Sequence, residues 1–188
     1  MNRCRSIKTM RNNSGFTLIE LIVVIAIFGI LVAVTVPNFL GYRPKSRLKT
    51  AARDLYSNLQ LARMEAIKSN TTWAIVFDFV SNSYTVRSDL TGANTVVKTV
   101  NLNSYGSGVT YGQGNATTDI DNSAFAGTTS YITYAGNVAQ LNSRGTSDQG
   151  FVYLSNETNT TCYVVGTRSS GIVLLRIWTG AAPVPWSD

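Results

Sequence analysis

The spacing of hydrophobic residues changes twice along this chain, from a continuous run to a helical period and then to a period of two. Residues 21–36 carry no charge and almost no polarity, and mostly apolar residues precede them from Phe16. As a helix rising about 1.5 Å per residue, residues 16–36 measure roughly 31 Å, close to the ~30 Å hydrocarbon thickness of a bilayer. The run predicts a membrane-spanning helix.

Glu20 is the one charged residue of the predicted span. Ionisable groups are rare in transmembrane segments and usually meet a partner there. Because Glu20 lies near the end of the span, its burial costs less than at the centre. Two interpretations stay open: an unpaired carboxylate at the interface, or a carboxylate that pairs with a group of another chain.

Residues 1–15 form a basic leader with no acid, typical of a segment retained in the cytoplasm. An ordinary secretory signal is cut after its apolar stretch, whereas here the small residue, Gly15, comes before it. Cleavage after Gly15 would leave the apolar helix in the mature protein. Basic residues at 43–49 nearly balance those of the leader, so the orientation is inferred from the type of leader.

Beyond the run, apolar residues recur every three or four positions and predict an amphipathic helix over residues 37–70 that packs on a head domain. Pro37 and Pro44 predict a kink or a local break, because proline removes a backbone donor and clashes with the preceding turn. Asn70 is expected to end the helix. The apolar stripe consists of Leu48, Ala52, Leu55, Leu59, Ala62 and Ala66.

From Trp73 the period becomes two, which predicts a strand over residues 73–80 with one buried face. Residues 112–126 are expected to form a long exposed loop. The predicted fold class is α+β, a long membrane-spanning helix followed by a head domain, residues 71–188, built as an antiparallel β-sheet or sandwich. Further strands are predicted at residues 84–87, 95–102, 109–111, 131–134, 138–141, 150–154, 161–166 and 172–178.

The leader contributes +4 to the net charge of +6. Residues 71–188 hold five basic and seven acidic residues, a formal −2, and lack the clustered basic face of a nucleic-acid-binding domain. The basic excess lies at residues 43–68, with seven positive residues against Asp54 and Glu65. This stretch can face acidic headgroups, acidic patches of neighbouring subunits, or solvent.

The junction Gly-Phe-Thr-Leu-Ile-Glu at residues 15–20 resembles the class III leader of type IV prepilins and type II secretion pseudopilins. The resemblance implies that a prepilin peptidase and methyltransferase cuts between Gly15 and Phe16 and methylates the new amino group of Phe16. It implies that Glu20 pairs with this amino group of a neighbouring subunit during filament assembly. Gly29 and Pro37 stand where the superfamily carries a glycine and a proline, the expected kink positions.

Patches further along resemble the minor pseudopilin H and FimT-like family, above all Leu-x-x-Ala-Arg-x-Glu-Ala-Ile at residues 59–67. The resemblance implies a minor pseudopilin of a type II secretion pseudopilus. The alternative is a FimT-like minor type IV pilin in pilus assembly or DNA uptake. Some FimT-like proteins bind DNA through a Gly-Arg-Val-Arg type segment, but Ile172 replaces the first arginine here, so DNA is not an expected partner.

Catalytic chemistry is constrained by the absence of histidine, which excludes Ser-His-Asp triads and histidine zinc sites. Cys4 leaves with the leader, so Cys162 is expected to be a small core residue. Asp119 and Asp121 offer oxygen ligands to calcium but lack the rest of an EF-hand loop. Whether Trp186 is packed or free stays open. The isolated cations of the head are expected to be solvated or paired: Arg144, Arg168 and Arg176.

These patterns predict a structural subunit without catalytic residues, metal or cofactor. Its expected partners are other pilins or pseudopilins, the prepilin peptidase, an inner-membrane assembly platform and secreted protein cargo. We expect a single-pass protein of the bacterial inner membrane, with a cytoplasmic amino terminus and a periplasmic head, that enters a filament after processing. A free-standing anchored protein without a filament is the remaining alternative.

Overall fold

The computed structural model describes residues 16–106, 108–125, 127, 131–181 and 185–187, and the backbone alone over residues 34–41. The predicted leader, with Gly15, lies outside these residues. One helix, α1, runs Leu18–Ser69 and continues through Pro37 and Pro44, so the local break that the prolines allowed does not occur. The kink at Gly29 and Pro37 stays a prediction. The chain divides into two units between Leu40 and Gly41.

Helix α1 ends where the sequence predicts, through a left-handed residue. Asn70 has φ 52°, a conformation that asparagine tolerates better than most residues. The Thr71 amide donates to the Ala66 carbonyl at 3.2 Å, and the Asn70 amide donates to the Ile67 carbonyl at 3.4 Å. This hydrogen-bond pair is the Schellman motif, which satisfies the last carbonyls of a helix.

The predicted stripe of α1 forms one side of the main core. All six of its residues are fully buried, from Leu48 to Ala66, together with Ala51. They pack against Ile75, Tyr84 and Val152, among others, in one continuous cluster. The helical period predicted this face correctly because burial on one side selects apolar residues every three or four positions.

Among the described residues, nine strands form two antiparallel sheets, which confirms the α+β class and the paired-sheet head. Four strands pair in the order β3-β2-β1-β5, and five pair in the order β4-β6-β7-β8-β9. The strands are β1 Trp73–Asp78, β2 Ser83–Ser88, β3 Thr95–Asn101, β4 Thr110–Tyr111, β5 Val138–Leu141, β6 Gly150–Ser155, β7 Cys162–Thr167, β8 Val173–Trp178 and β9 Trp186–Ser187. The first sheet ends at β3, an exposed edge strand.

Three details differ from the strand predictions. Strand β1 stops at Asp78, because its carboxylate accepts hydrogen bonds from the amides of Val80 at 2.9 Å and Ser81 at 3.1 Å and so forms a turn. Residues 131–134 form no strand, only an isolated bridge between Ile132 and Val152. Strand β9 is short, and the sequence pattern did not predict it.

Strand β6 is buried on both faces. Val152 and Leu154 face the main core, while Phe151 and Tyr153 belong to a second cluster that contains Trp186. Part of the predicted long exposed loop, residues 112–126, packs in this second cluster, so the loop is exposed only in part. The loop residues that pack there are Ala116, Ile120 and Phe125.

Candidate functional site at the start of the long helix

The helix begins with a capping interaction at the predicted processing junction. The Thr17 hydroxyl accepts a hydrogen bond from the Glu20 amide at 3.3 Å, and the Thr17 carbonyl accepts one from the Leu21 amide at 3.2 Å. A threonine followed three residues later by glutamate is the capping-box spacing. That spacing was readable in the sequence, but Thr17 carried no predicted role.

Glu20 therefore lies in the first turn of α1. A carboxylate there is favoured by the unsatisfied amides and the positive end of the helix dipole. Among the described residues, Glu20 has no ion-pair partner, and its side chain is exposed. The arrangement holds a negative charge in a fixed place from which it can receive a cation supplied by another molecule.

Apolar side chains surround this carboxylate along the helix and are uncovered. Phe16 is 85% exposed, and the large apolar residues that follow it to Val32 are all exposed. The predicted span ends with residues 34–36, for which the structure describes only the backbone.

Within the part of the chain that the structure describes, no helix is both long enough and apolar enough to cross a membrane.

The head contains a polar cluster between α1 and the first sheet, which we name the Asp54 cluster: Asp54, Asn58, Tyr84, Lys98 and Tyr105. The Tyr84 hydroxyl accepts from Asn58 Nδ2 at 2.7 Å, and Tyr105 donates to Asp54. Lys98 Nζ donates to Asn58 Oδ1 at 3.1 Å and lies 3.6 Å from Asp54 Oδ2. Burial raises the pKa of Tyr84, with a further rise from Tyr105 and Asp54. The cluster fixes the helix on the sheet with its tyrosines protonated.

Cys162 is placed as predicted, in the core. Its side chain is fully buried, and its Sγ lies 3.7 Å from the Gly112 carbonyl oxygen. Burial raises the pKa of the Cys162 thiol, so the reactive thiolate is disfavoured at neutral pH.

The carboxylates considered for calcium have other contacts. Asp119 Oδ1 accepts from the amides of Asp121 at 2.9 Å and Ser123 at 2.8 Å, while Asp121 Oδ1 pairs with Arg168 at 2.9 Å. Across the described ranges, no group of three or more acidic or thiol side chains is arranged to hold a metal ion.

Trp186, which the sequence left open, is buried. Its Nε1 donates to the Asp119 carbonyl at 2.8 Å, and its ring meets Trp178 edge to face at 5.1 Å between centroids. In the segment compared with the DNA-binding pattern, Ile172 is exposed. Arg144 is exposed, and Arg168, besides its ion pair, stacks over Phe151.

The start of the chain places the protein in a broader class, that of prokaryotic proteins with an N-terminal methylation motif. Residues 10–36 match the prokaryotic N-terminal methylation motif. Residues 51–171 match the family described as type II transport protein GspH. The second match covers more than half of the chain, and the protein belongs to the GspH family of pseudopilins, whose members are structural subunits.

Curated relatives match only part of this chain. The type IV major pilin protein PilA of Myxococcus xanthus is 49% identical over 43 residues, 23% of this chain and 20% of the relative. The type IV wide pilus major component PilA4 of Thermus thermophilus is 42% identical over 62 residues, 33% and 47% respectively. Type II secretion system core protein G of Vibrio cholerae is 46% identical over 48 residues, 26% and 33%. The chain thus spans less than half of the length of these relatives.

Among solved structures, the minor pseudopilin EpsH from the type II secretion system of Vibrio cholerae is similar with a TM-score of 0.48 and 16% identity. That similarity covers 69% of this chain and 95% of the other.

Proposed function

We propose that this protein is a minor pseudopilin that a prepilin peptidase cuts between Gly15 and Phe16 and methylates at Phe16. The processed chain then enters an inner-membrane-anchored filament that supports type II protein secretion. The observation that carries the proposal is the first part of α1, where uncovered apolar side chains surround a single carboxylate, Glu20. Membership of the GspH family supports it.

The apolar side chains from Phe16 to Val32 need a covering surface. Leaving a large aliphatic or aromatic side chain in water instead of burying it costs roughly 1.5–3 kcal/mol. A lipid bilayer covers such a helix before assembly, and equivalent helices of neighbouring subunits cover it in a filament. The same apolar surface thus serves both states of the subunit.

Glu20 gives the filament its register. The capping interaction with Thr17 fixes the backbone at Glu20, while the carboxylate itself is exposed and available. A cleaved and methylated Phe16 of a neighbouring subunit carries a positive amino group that matches this charge. Between apolar helices the pair is desolvated, and an unpaired buried charge costs about 3–5 kcal/mol. Axial positions that separate the two groups are therefore strongly disfavoured.

The proposed location is the bacterial inner membrane, with the amino terminus in the cytoplasm and the head in the periplasm. The basic leader and the methylation motif support this orientation. An inner-membrane platform would extract the subunit from the bilayer, and the head would contact other pseudopilins or secreted cargo. The Asp54 cluster and the main core hold α1 against the sheets of the head that would make such contacts.

Two measurements test the proposal. Mass spectrometry of the protein purified from its native host should find a chain that starts with N-methylphenylalanine at position 16. An intact start, or another new start, would contradict processing.

Glu20→Ala should insert in the membrane normally but lose incorporation into sheared filaments by at least tenfold, because it removes the partner of the amino group. Glu20→Asp, which keeps the charge, is the matched control and should retain part of the incorporation. Equal incorporation of wild type and Glu20→Ala would exclude the pairing.

A further inference from the structure

A groove of about 340 Å³ opens between α1 and the second sheet, entirely within the unit Gly41–Asp188. We name it the lysine groove. The helix contributes Tyr42, Lys45 and Lys49, and strands β7 and β8 contribute Tyr163 and Trp178. The groove thus has two cations and a tyrosine on the helix wall and two aromatic rings on the strand wall.

The lysine groove is positively charged. Lys45 and Lys49 are four residues apart on α1, so they are neighbours on one helix face, and Arg53 extends the row by another turn. All three are exposed. Over the described part of the chain, neither lysine has an ion-pair partner, and no described residue that lines the groove is acidic. Like charges at this spacing repel, so an external anion would relieve the repulsion.

The aromatic residues that line the groove favour a ligand with an apolar part. Tyr42 is 65% exposed, while Tyr163 and Trp178 are half-buried and line the groove. Tyrosine and tryptophan are enriched at membrane interfaces, because each combines an apolar ring with a polar atom. Lysine side chains near a membrane extend their charge to the headgroups.

The place of the groove along the chain points to the same environment. Lys45 follows Val36, the last residue of the predicted span, by only nine positions. An anionic membrane surface attracts basic residues that directly follow a span. A soluble anion or a remote protein partner would require no such position.

We propose that the lysine groove binds the phosphate of an anionic phospholipid headgroup and holds the unassembled subunit's head on the membrane. Lys45 and Lys49 receive the phosphate, and Tyr163 and Trp178 contact the glycerol esters and the first methylenes of the acyl chains. The inference rests on the proposed membrane-anchored function. Assembly would then exchange lipid contacts of the groove for contacts in the filament.

Lysine labelling of the full chain in nanodiscs tests the proposal. Limited acetylation followed by mass spectrometry is compared between discs of phosphatidylcholine alone and discs that also contain phosphatidylglycerol. Near an anionic surface each lysine gains about 1 kcal/mol, so Lys45 and Lys49 should be acetylated roughly fivefold more slowly in the anionic discs. Lys68 is the matched control, since it lies on the same helix with its side chain 77% exposed.

The result that supports the proposal is protection of Lys45 and Lys49, but not Lys68, that requires phosphatidylglycerol. Equal protection in phosphatidylcholine discs would show that an anionic headgroup is not required, and protection produced there by added inorganic phosphate would identify a free-phosphate site. Protection of Lys68 to the same degree would show a non-specific surface effect. Each of these three outcomes overturns the proposal.

Variants provide a second readout. In discs of mixed lipids, native mass spectrometry should show several-fold less retained phosphatidylglycerol for Lys45→Gln/Lys49→Gln than for wild type or Lys68→Gln. Equal retention by all three overturns the proposal. A chain that does not insert into discs would instead contradict the membrane anchor of the proposed function, so the two failures are distinguishable.

Discussion

The hydroxyl group of Tyr84 offers a direct test of how α1 is fixed to the head. Tyr84 is fully buried, and its oxygen accepts from Asn58 Nδ2 at 2.7 Å. The same hydroxyl lies 3.4 Å from Asp54 Oδ2, and Asn58 itself is only 4% exposed. Tyr84→Phe removes this one oxygen and keeps the ring in the core.

The expected cost follows from the hydrogen bonds that are lost. A net intramolecular hydrogen bond contributes about 1 kcal/mol, and a buried donor left without a good partner costs about 1–3 kcal/mol. Asn58 Nδ2 keeps only its 3.4 Å contact with Asp54, so part of the second cost applies. We expect Tyr84→Phe to lower the free energy of unfolding by about 2 kcal/mol, which corresponds to a Tm lower by roughly 4–8 °C for a chain of this size.

The assay is urea unfolding of the full chain in detergent, followed by near-ultraviolet circular dichroism. Tyr42→Phe, at an exposed tyrosine, is the matched control and should change stability by less than about 0.5 kcal/mol. A double-mutant cycle of Tyr84→Phe with Asn58→Ala should give a coupling energy of about 1 kcal/mol or more. Additivity of the two changes within about 0.3 kcal/mol would refute the hydrogen bond.

Three further stability predictions use the same assay. Asn70→Ala should destabilise the protein by about 1–2 kcal/mol, because alanine is strained at the φ of 52°, whereas Asn70→Gly should not; equal losses would contradict the left-handed cap. Gly166→Ala should cost about 3 kcal/mol or more, because its Cβ would collide with the Gly150 carbonyl oxygen and Phe151, and a wild-type urea midpoint would disprove this contact. Burial raises the pKa of Tyr134 from 10 to about 12, so the unfolded state loses this proton first as pH rises. The stabilisation from Tyr134, present below about pH 10, should decline by about 3 kcal/mol up to about pH 12. Tyr134→Phe should reduce this decline. An unchanged dependence of the unfolding free energy on pH in this variant would exclude a contribution from Tyr134.

Local signals predicted the helix and most strands. The stripe from Leu48 to Ala66 was predicted correctly because every member faces one core, and Asn70 marked the helix end by its own backbone preference. The pattern over residues 73–80 predicted β1 but not its end, since the Asp78 carboxylate turns the chain before Phe79. In that segment, the hydrogen bonds of Asp78 end the strand although the alternation of apolar residues continues.

Features that depend on distant contacts had no such signal. Strand β9 is only two residues long, and Trp186 is held by Trp178, by Tyr153 and by the Asp119 carbonyl; the last two lie far from it in sequence. The packing of Ala116, Ile120 and Phe125 on the second sheet is also non-local. Similarly, a pattern along the chain could reveal Glu20 and the basic stretch, but not that Lys45 faces Trp178 across a groove.

Strand β6, enclosed on both faces, has a consequence for amide hydrogen exchange. Its backbone bonds are shielded by the helix side of the core and by the second cluster, so solvent deuterium should reach them only through cooperative opening of the head. The exposed edge strand β3 should exchange through local fraying. Amides of β6 therefore serve as internal reporters of folding free energy, and they would show whether incorporation into a larger assembly slows the opening of the head.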